Sequence, residues 1–206
     1  WAFDNCLTAS AQLALVAVFA IISFGFIITP ANAAADGWHI RDDATGGECS
    51  LIGSWDSGSK TCTLTQDLDQ RIVVDSDRVV LEGGGHTITG DSSGIAGIGI
   101  HLFGRIGVTM KNLNIKGFQE AIRIESSRVN TLESSTASQN GVGIVLLDSN
   151  TNMLMGNTSS FNNYAGIQLV RSSSNLLANN ISNGNESAIR GGTGIELFES
   201  DHNTLT

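Results

Sequence analysis

An isoleucine returns along this 206-residue chain at nearly constant spacing: Ile100, Ile122, Ile144, Ile167 and Ile195, at steps of 22, 22, 23 and 28 residues. A period that short, with no helical spacing inside it, predicts a solenoid of strands in which each repeat buries its apolar side against the next. Two residues after each isoleucine stands a second aliphatic, Leu102, Ile124, Leu146, Leu169 and Leu197, the alternation of a strand with these residues directed inward. Ten residues after it comes a third inward column, Met110, Leu132, Leu154, Leu177 and Leu205. One aliphatic layer per coil is the expected core.

The corners repeat as strictly as the strands. Ser127, Ser149, Ser172 and Ser200 follow the isoleucines by five residues, and Asn130, Asn152, Asn175 and Asn203 by eight. Coils of a parallel solenoid lie about 4.8 Å apart, so like residues stack and an asparagine amide can bond to the one above and below. These columns read as structural ladders that need no ligand. Asn-x-Ser sequons at Asn157, Asn180 and Asn185 are expected by chance in a chain so rich in both residues.

Composition narrows the partners. A net charge of −9 with no basic cluster argues against nucleic acid and anionic membrane, and 24 glycines with 15% charged residues describe a chain that folds. The apolar run from Ala11 to Ile28, followed by Pro30 and the small residues Ala31, Ala33 and Ala35, resembles a secretory signal peptide. The same run is near the length of a membrane span, so a retained anchor is the alternative, and the only expected membrane contact. No Lys or Arg precedes the run and the chain opens at Trp1, from which a missing natural start is expected. Cys6 would leave with the signal segment. Cys49 and Cys62 then form an even pair, expected to close a short loop as a disulfide; their spacing is not that of a zinc site, and neither a metal nor a cofactor is expected. The domain reading is a signal peptide over 1–35, a cap region with the Cys49/Cys62 loop over 36–71, and repeats over 72–206.

The stretch CTLTQDLDQRIVVDSDRVVLEGGGHTITG, followed by repeats of the form GIxLxxSxxNxL, resembles the NosD-type right-handed parallel β-helix proteins. That group overlaps the carbohydrate-binding and sugar-hydrolase β-helix repeats. The resemblance covers residues 49 to 206 and implies an all-β solenoid of about six coils in an exported protein, secreted, surface-attached or periplasmic. It also implies a choice among polysaccharide lyases, hydrolases, epimerases, adhesins and a periplasmic accessory to copper-site maturation, among which fold does not decide.

Glycoside cleavage needs two carboxyl groups about 5 to 9 Å apart. Glu125, Glu133, Asp148, Glu196 and Glu199 fall in scattered registers, and Asp148, Arg171 and Glu199 alternate in sign up one turn column as a charge ladder. The catalytic motifs of polygalacturonase-like enzymes, pectate lyases and alginate epimerases are not matched. The catalytic candidates are His101, Arg123 and Glu125, outward on adjacent coils, where a base and a cation could meet an acidic sugar. For copper, Met110 is inward, Met153 and Met155 flank Leu154, and His39, His86, His101 and His202 occupy four registers, so no ligand set is expected.

An outward column is unusually apolar: Phe103, Glu125, Leu147, Val170 and Phe198, beside His101, Arg123, Val145, Gln168 and Glu196. Aromatic residues next to hydrogen-bonding side chains suit sugar rings, and packing against a neighbouring module explains the same pattern. Phe103, Phe198, Gln168 and Glu196 are therefore the ligand-binding candidates. Glu186 and Arg190 join them from NGNESAIRGG, where the 28-residue step carries about six surplus residues out of the stack. The expected function is a non-catalytic carbohydrate-binding or structural module, with a polysaccharide or neighbouring modules as partners. Because HNTLT stops just past the inward Leu205, further coils and a cap are expected beyond residue 206.

Overall fold

In this computed structural model the structure describes residues 37–90, 97–186 and 191–206. The signal segment, Ile189 and Arg190 therefore lie outside the described residues. Eighteen strands and one short helix build the described chain. One sheet holds β1 (Trp38–Ile40), β4 (Ile72–Val74), β7 (Ile98–Phe103), β10 (Glu120–Glu125), β13 (Val142–Leu147), β15 (Ala165–Val170) and β17 (Thr193–Phe198), stacked in that order. A second holds β2 (Gly53–Asp56), β3 (Thr61–Leu64), β5 (Val80–Glu82), β8 (Thr109–Lys111), β11 (Thr131–Glu133), β14 (Met153–Met155), β16 (Leu176–Ala178) and β18 (Thr204–Leu205). A third is β6 (Thr87–Thr89), β9 (Asn114–Lys116) and β12 (Thr136–Ala137). Every named pairing is parallel except β2 with β3, and each parallel pair joins counterparts one coil apart. This is a parallel β-helix, right-handed as crossover connections between parallel strands are.

The register is the one the repeat predicts. Ile100, Ile122, Ile144, Ile167 and Ile195 are paired directly, and so are Met110, Leu132, Leu154, Leu177 and Leu205. From Ile100 to Leu169 the inward residues are buried; in the last coil Leu197 and Leu205 are exposed. Parallel stacking begins ahead of residue 72, because β1 pairs with β4 and β3 with β5. The first layer is closed by α1 (Cys49–Ile52), whose Cys49 and Ile52 are fully buried, and Cys49 is disulfide-bonded to Cys62.

Four bends per coil are made by columns of left-handed residues, such as Gly104, Ser126, Asp148, Arg171 and Glu199, or Gly107, Val129, Thr151, Ser174 and His202. Non-glycine residues there cost about 1 kcal/mol each, and a β-branched one such as Val129 more. The ladders between the bends offset this. Ser149 Oγ accepts from Ser127 N, Ser172 Oγ from Ser149 N and Ser200 Oγ from Ser172 N, at 2.9–3.0 Å. In the asparagine column three Oδ1 atoms each accept twice from the coil before: Asn152 from Asn130 N and Nδ2, Asn175 from Asn152, and Asn203 from Asn175. Two further ladders escaped the sequence reading, Asn140 to Asn162 to Asn185 and Ser135 to Asn157 to Asn180. All three sequon asparagines stand in them. Asn157 is fully buried and its Nδ2 already donates to Leu132 O (2.9 Å) and Asn180 Oδ1 (2.9 Å), so these residues are there to tie coils.

Candidate functional site

Stacking places the catalytic candidates side by side on the outer face of the first sheet. Arg123 pairs with His101 and Glu125 with Phe103 across β7 and β10. His101 Nε2 lies 3.3 Å from Glu125 Oε2, and Arg123 Nε lies 3.2 Å from the same oxygen. A residue outside the sequence reading joins them: Glu120 Oε2 is 3.6 Å from Arg123 Nε. Two carboxylates thus share one guanidinium, although no carboxyl pair was expected from the registers. Glu120 Oε2 and Arg123 Nε are both buried and complete no hydrogen bond.

Burial sets the proton affinities. It pushes the Glu120 carboxyl above its ordinary range; the Arg123 charge opposes this and the Glu125 charge adds to it. Burial also pulls His101 below its ordinary 6.5, with Glu125 opposing and the Arg71 and Arg123 charges adding. A histidine depressed in the folded state contributes stability that is present above 6.5 and is lost as the pH falls through the lowered value. His101→Asn is therefore expected to flatten the fall in urea midpoint between about pH 7 and pH 5. An unchanged slope would place the proton uptake elsewhere.

Around this cluster the outward columns hold with one correction. Phe103 and Phe198 are 57% and 54% exposed, and the His101 and Phe103 rings tilt against each other with centroids 6.2 Å apart. Leu147 and Val170 are half-buried. Val145, outward by register, is buried at 4% exposure. It is a short side chain between Arg123 and Gln168, its partners on either side, and strands about 4.8 Å apart let the longer chains stand over it. The apolar strip is thus two exposed rings at its ends, with a lower middle. Gln168 Nε2 donates to Glu196 Oε2 (2.8 Å). On the turn column Arg171 holds Asp148 through two bonds (2.7 and 2.9 Å), while no ion pair joins it to Glu199. Glu186 is exposed, apart from this face in register, and Arg190 lies outside the described residues.

A family model described as "Periplasmic copper-binding protein (NosD)" matches residues 60–206. The chain belongs to the NosD family. No curated protein and no solved structure matches it. NosD is a periplasmic family, and among the described residues no helix is long and apolar enough to cross a membrane.

The donors among the described residues do not fit the copper of the NosD description. Soft Cu(I) needs converging sulfur or imidazole. Cys49 and Cys62 are joined in the disulfide, Met110 is sealed in the core, and Met153 and Met155 lie on the outer side of β14. His39 bonds Asp75 (2.5 Å), His86 bonds Asp67 (3.2 Å) and His101 bonds Glu125. Among the described residues no group of three His, Cys, Asp or Glu side chains is placed to hold a metal ion.

Proposed function

We propose that this NosD-family chain is a saccharide-binding β-helix module of the cell envelope or its exterior that holds its ligand without cleaving it, its other faces meeting neighbouring modules. The observation that carries this reading is the pair of exposed rings, Phe103 and Phe198, at the two ends of one outward column. Between and beside them run Glu125, Arg123, Gln168 and Glu196. Sugars present an apolar face to aromatic rings and a hydroxyl edge to amides and carboxylates, so an extended saccharide lying along the solenoid axis meets both. A glycan array probed with the chain tests it. Phe103→Ala and Phe198→Ala are each expected to weaken the retained glycan about tenfold. An array with no bound glycan, or unchanged binding in both variants, overturns the reading.

A second reading is favoured by one observation, the two carboxylates on Arg123. A carboxyl whose proton affinity burial raises, set beside a second carboxyl, suits proton donation to an acidic polysaccharide. Incubation with polygalacturonate and alginate, assayed for new chain ends, decides it: Glu125→Gln abolishes any product formed by this site, and a wild-type chain that forms none ends this reading.

A further inference from the structure

Where the third sheet gives way to the first, the coils bend through the left-handed column Gly117, Gln139, Phe161 and Gly184. The bend is stacked by bonds from Gly117 N to Gln139 O (3.0 Å), from Gln139 N to Phe161 O (3.2 Å) and from Phe161 N to Asn183 O (3.1 Å). Asn163 N and Tyr164 N donate to Asn140 O and Gly141 O, each at 2.8 Å, so the backbone at this corner is committed to the solenoid. The side chains are not. Gln119, Gln139 and Asn163 are exposed, and their amides bond to no other described residue.

These amides and the Tyr164 ring, 58% exposed, line a hollow of about 340 Å³ that spans three successive coils. Gly117, Gly141 and the buried Phe118 and Asn140 complete the lining, and a side chain at 141 would strike the Gln119 carbonyl, so the hollow stays open there. A second hollow of about 300 Å³ shares Asn163 and adds Phe161, 66% exposed, and Glu186.

The chemistry of the larger hollow is specific in what it lacks. In a chain of net charge −9, no carboxylate, ammonium, guanidinium or imidazole among the described residues lines it. An anionic ligand finds no cation there, and a cationic ligand no carboxylate. Three amides offer both donors and acceptors, as vicinal hydroxyls require, and an exposed ring offers a face for a C–H surface. We propose that this corner is a second saccharide site, built for an uncharged sugar, with Tyr164 as the stacking platform and Gln119, Gln139 and Asn163 as the hydroxyl-binding groups. It deepens the saccharide-binding reading, on which it rests, by assigning a neutral ligand to a surface separate from the charged face around Arg123. Phe161 extends the platform to a following sugar unit.

Calorimetric titration of the full chain with maltohexaose, cellohexaose and chitohexaose, and with oligogalacturonate as a charged probe, tests this. At least one uncharged oligosaccharide is expected to bind. Tyr164→Ala weakens it about tenfold, Tyr164→Phe retains most of the affinity, and Gln139→Ala causes a smaller loss. Leu51→Ala, an exposed apolar residue on α1, leaves it unchanged. Because Tyr164 is exposed, the variant's melting curve is expected to match the wild type, which separates lost binding from lost fold. Failure of all three uncharged probes, or binding indifferent to Tyr164→Ala, overturns the proposal. Oligogalacturonate bound in a way that Phe103→Ala weakens would then leave the charged-face reading standing; no binding of either class would remove both.

Discussion

Asn152→Ala is expected to destabilise the solenoid by about 3 to 5 kcal/mol, a drop of roughly 10 °C in melting temperature for a chain of this size. Asn152 is 2% exposed and its side chain serves both neighbouring coils. Its Oδ1 accepts from Asn130 N and Asn130 Nδ2, both at 3.0 Å. Its Nδ2 donates to Ser127 O, Asn150 O and Asn175 Oδ1, each at 3.2 Å. Alanine strands the buried Asn130 N–H and takes a donor from two carbonyls, and each stranded buried group costs about 1 to 3 kcal/mol. It also removes the tie that holds Thr151 in its left-handed bend. Asn150→Ala is the control. That exposed side chain accepts one bond, from Ser173 N (2.6 Å), and its loss is expected to cost no more than about 1 kcal/mol. Urea midpoints followed by circular dichroism compare the two. Equal losses would mean that the ladder contributes no more than a surface hydrogen bond does.

The same ladder explains why so much of the fold was legible. A parallel stack puts one residue type at one position in every coil, so Asn130, Asn152, Asn175 and Asn203 betray both period and corner. Where a ladder changes residue type, the signal fades: Ser135 gives way to Asn157, and Asn157 and Asn180 read as sequons instead. Glu120 escaped for a different reason. It is an even step before Ile122 and Ile124, so strict alternation turns it inward, but consecutive Ala121 and Ile122 are both buried, the alternation breaks, and Glu120 emerges beside Arg123. The neutral corner carries no period at all. Gln119, Gln139 and Asn163 are separated by 20 and 24 residues and become neighbours only when the bends are stacked. Ligand identity is less legible than fold because the outward columns are under no packing constraint and vary from coil to coil.

Gly143→Ala is expected to cost about 1 to 3 kcal/mol, and a second, smaller side chain is expected to recover most of it. Gly143 stands in the column Gly99, Ala121, Gly143, Gly166 and Gly194, set by the pairing of Glu120 with Ile98 and Val142, and of Ala165 with Val142 and Thr193. Its backbone is not left-handed, so conformation alone permits alanine, and a less floppy unfolded chain would favour it by about 0.4 to 1 kcal/mol. Space decides against it. A Cβ at 143 would overlap Ser159 Oγ, which donates to Gly166 O at 2.6 Å, and a Cβ at 166 would overlap Ser182 Oγ one coil on. Ser159 and Ser182 continue the column of Ile115 and Ala137. In the coil where that column holds Ala137, its counterpart is Ala121, and both are buried. A methyl is therefore accommodated where the facing residue is itself reduced to a methyl. The double variant Gly143→Ala, Ser159→Ala recreates that pair one coil later. It gives up the bond to Gly166 O, so recovery is incomplete, but a double-mutant cycle on urea midpoints is expected to show a favourable coupling of about 1 to 2 kcal/mol. Additive losses would mean that the nearby Gly166 carbonyl oxygen, and not the serine hydroxyl, is what forbids a side chain at position 143.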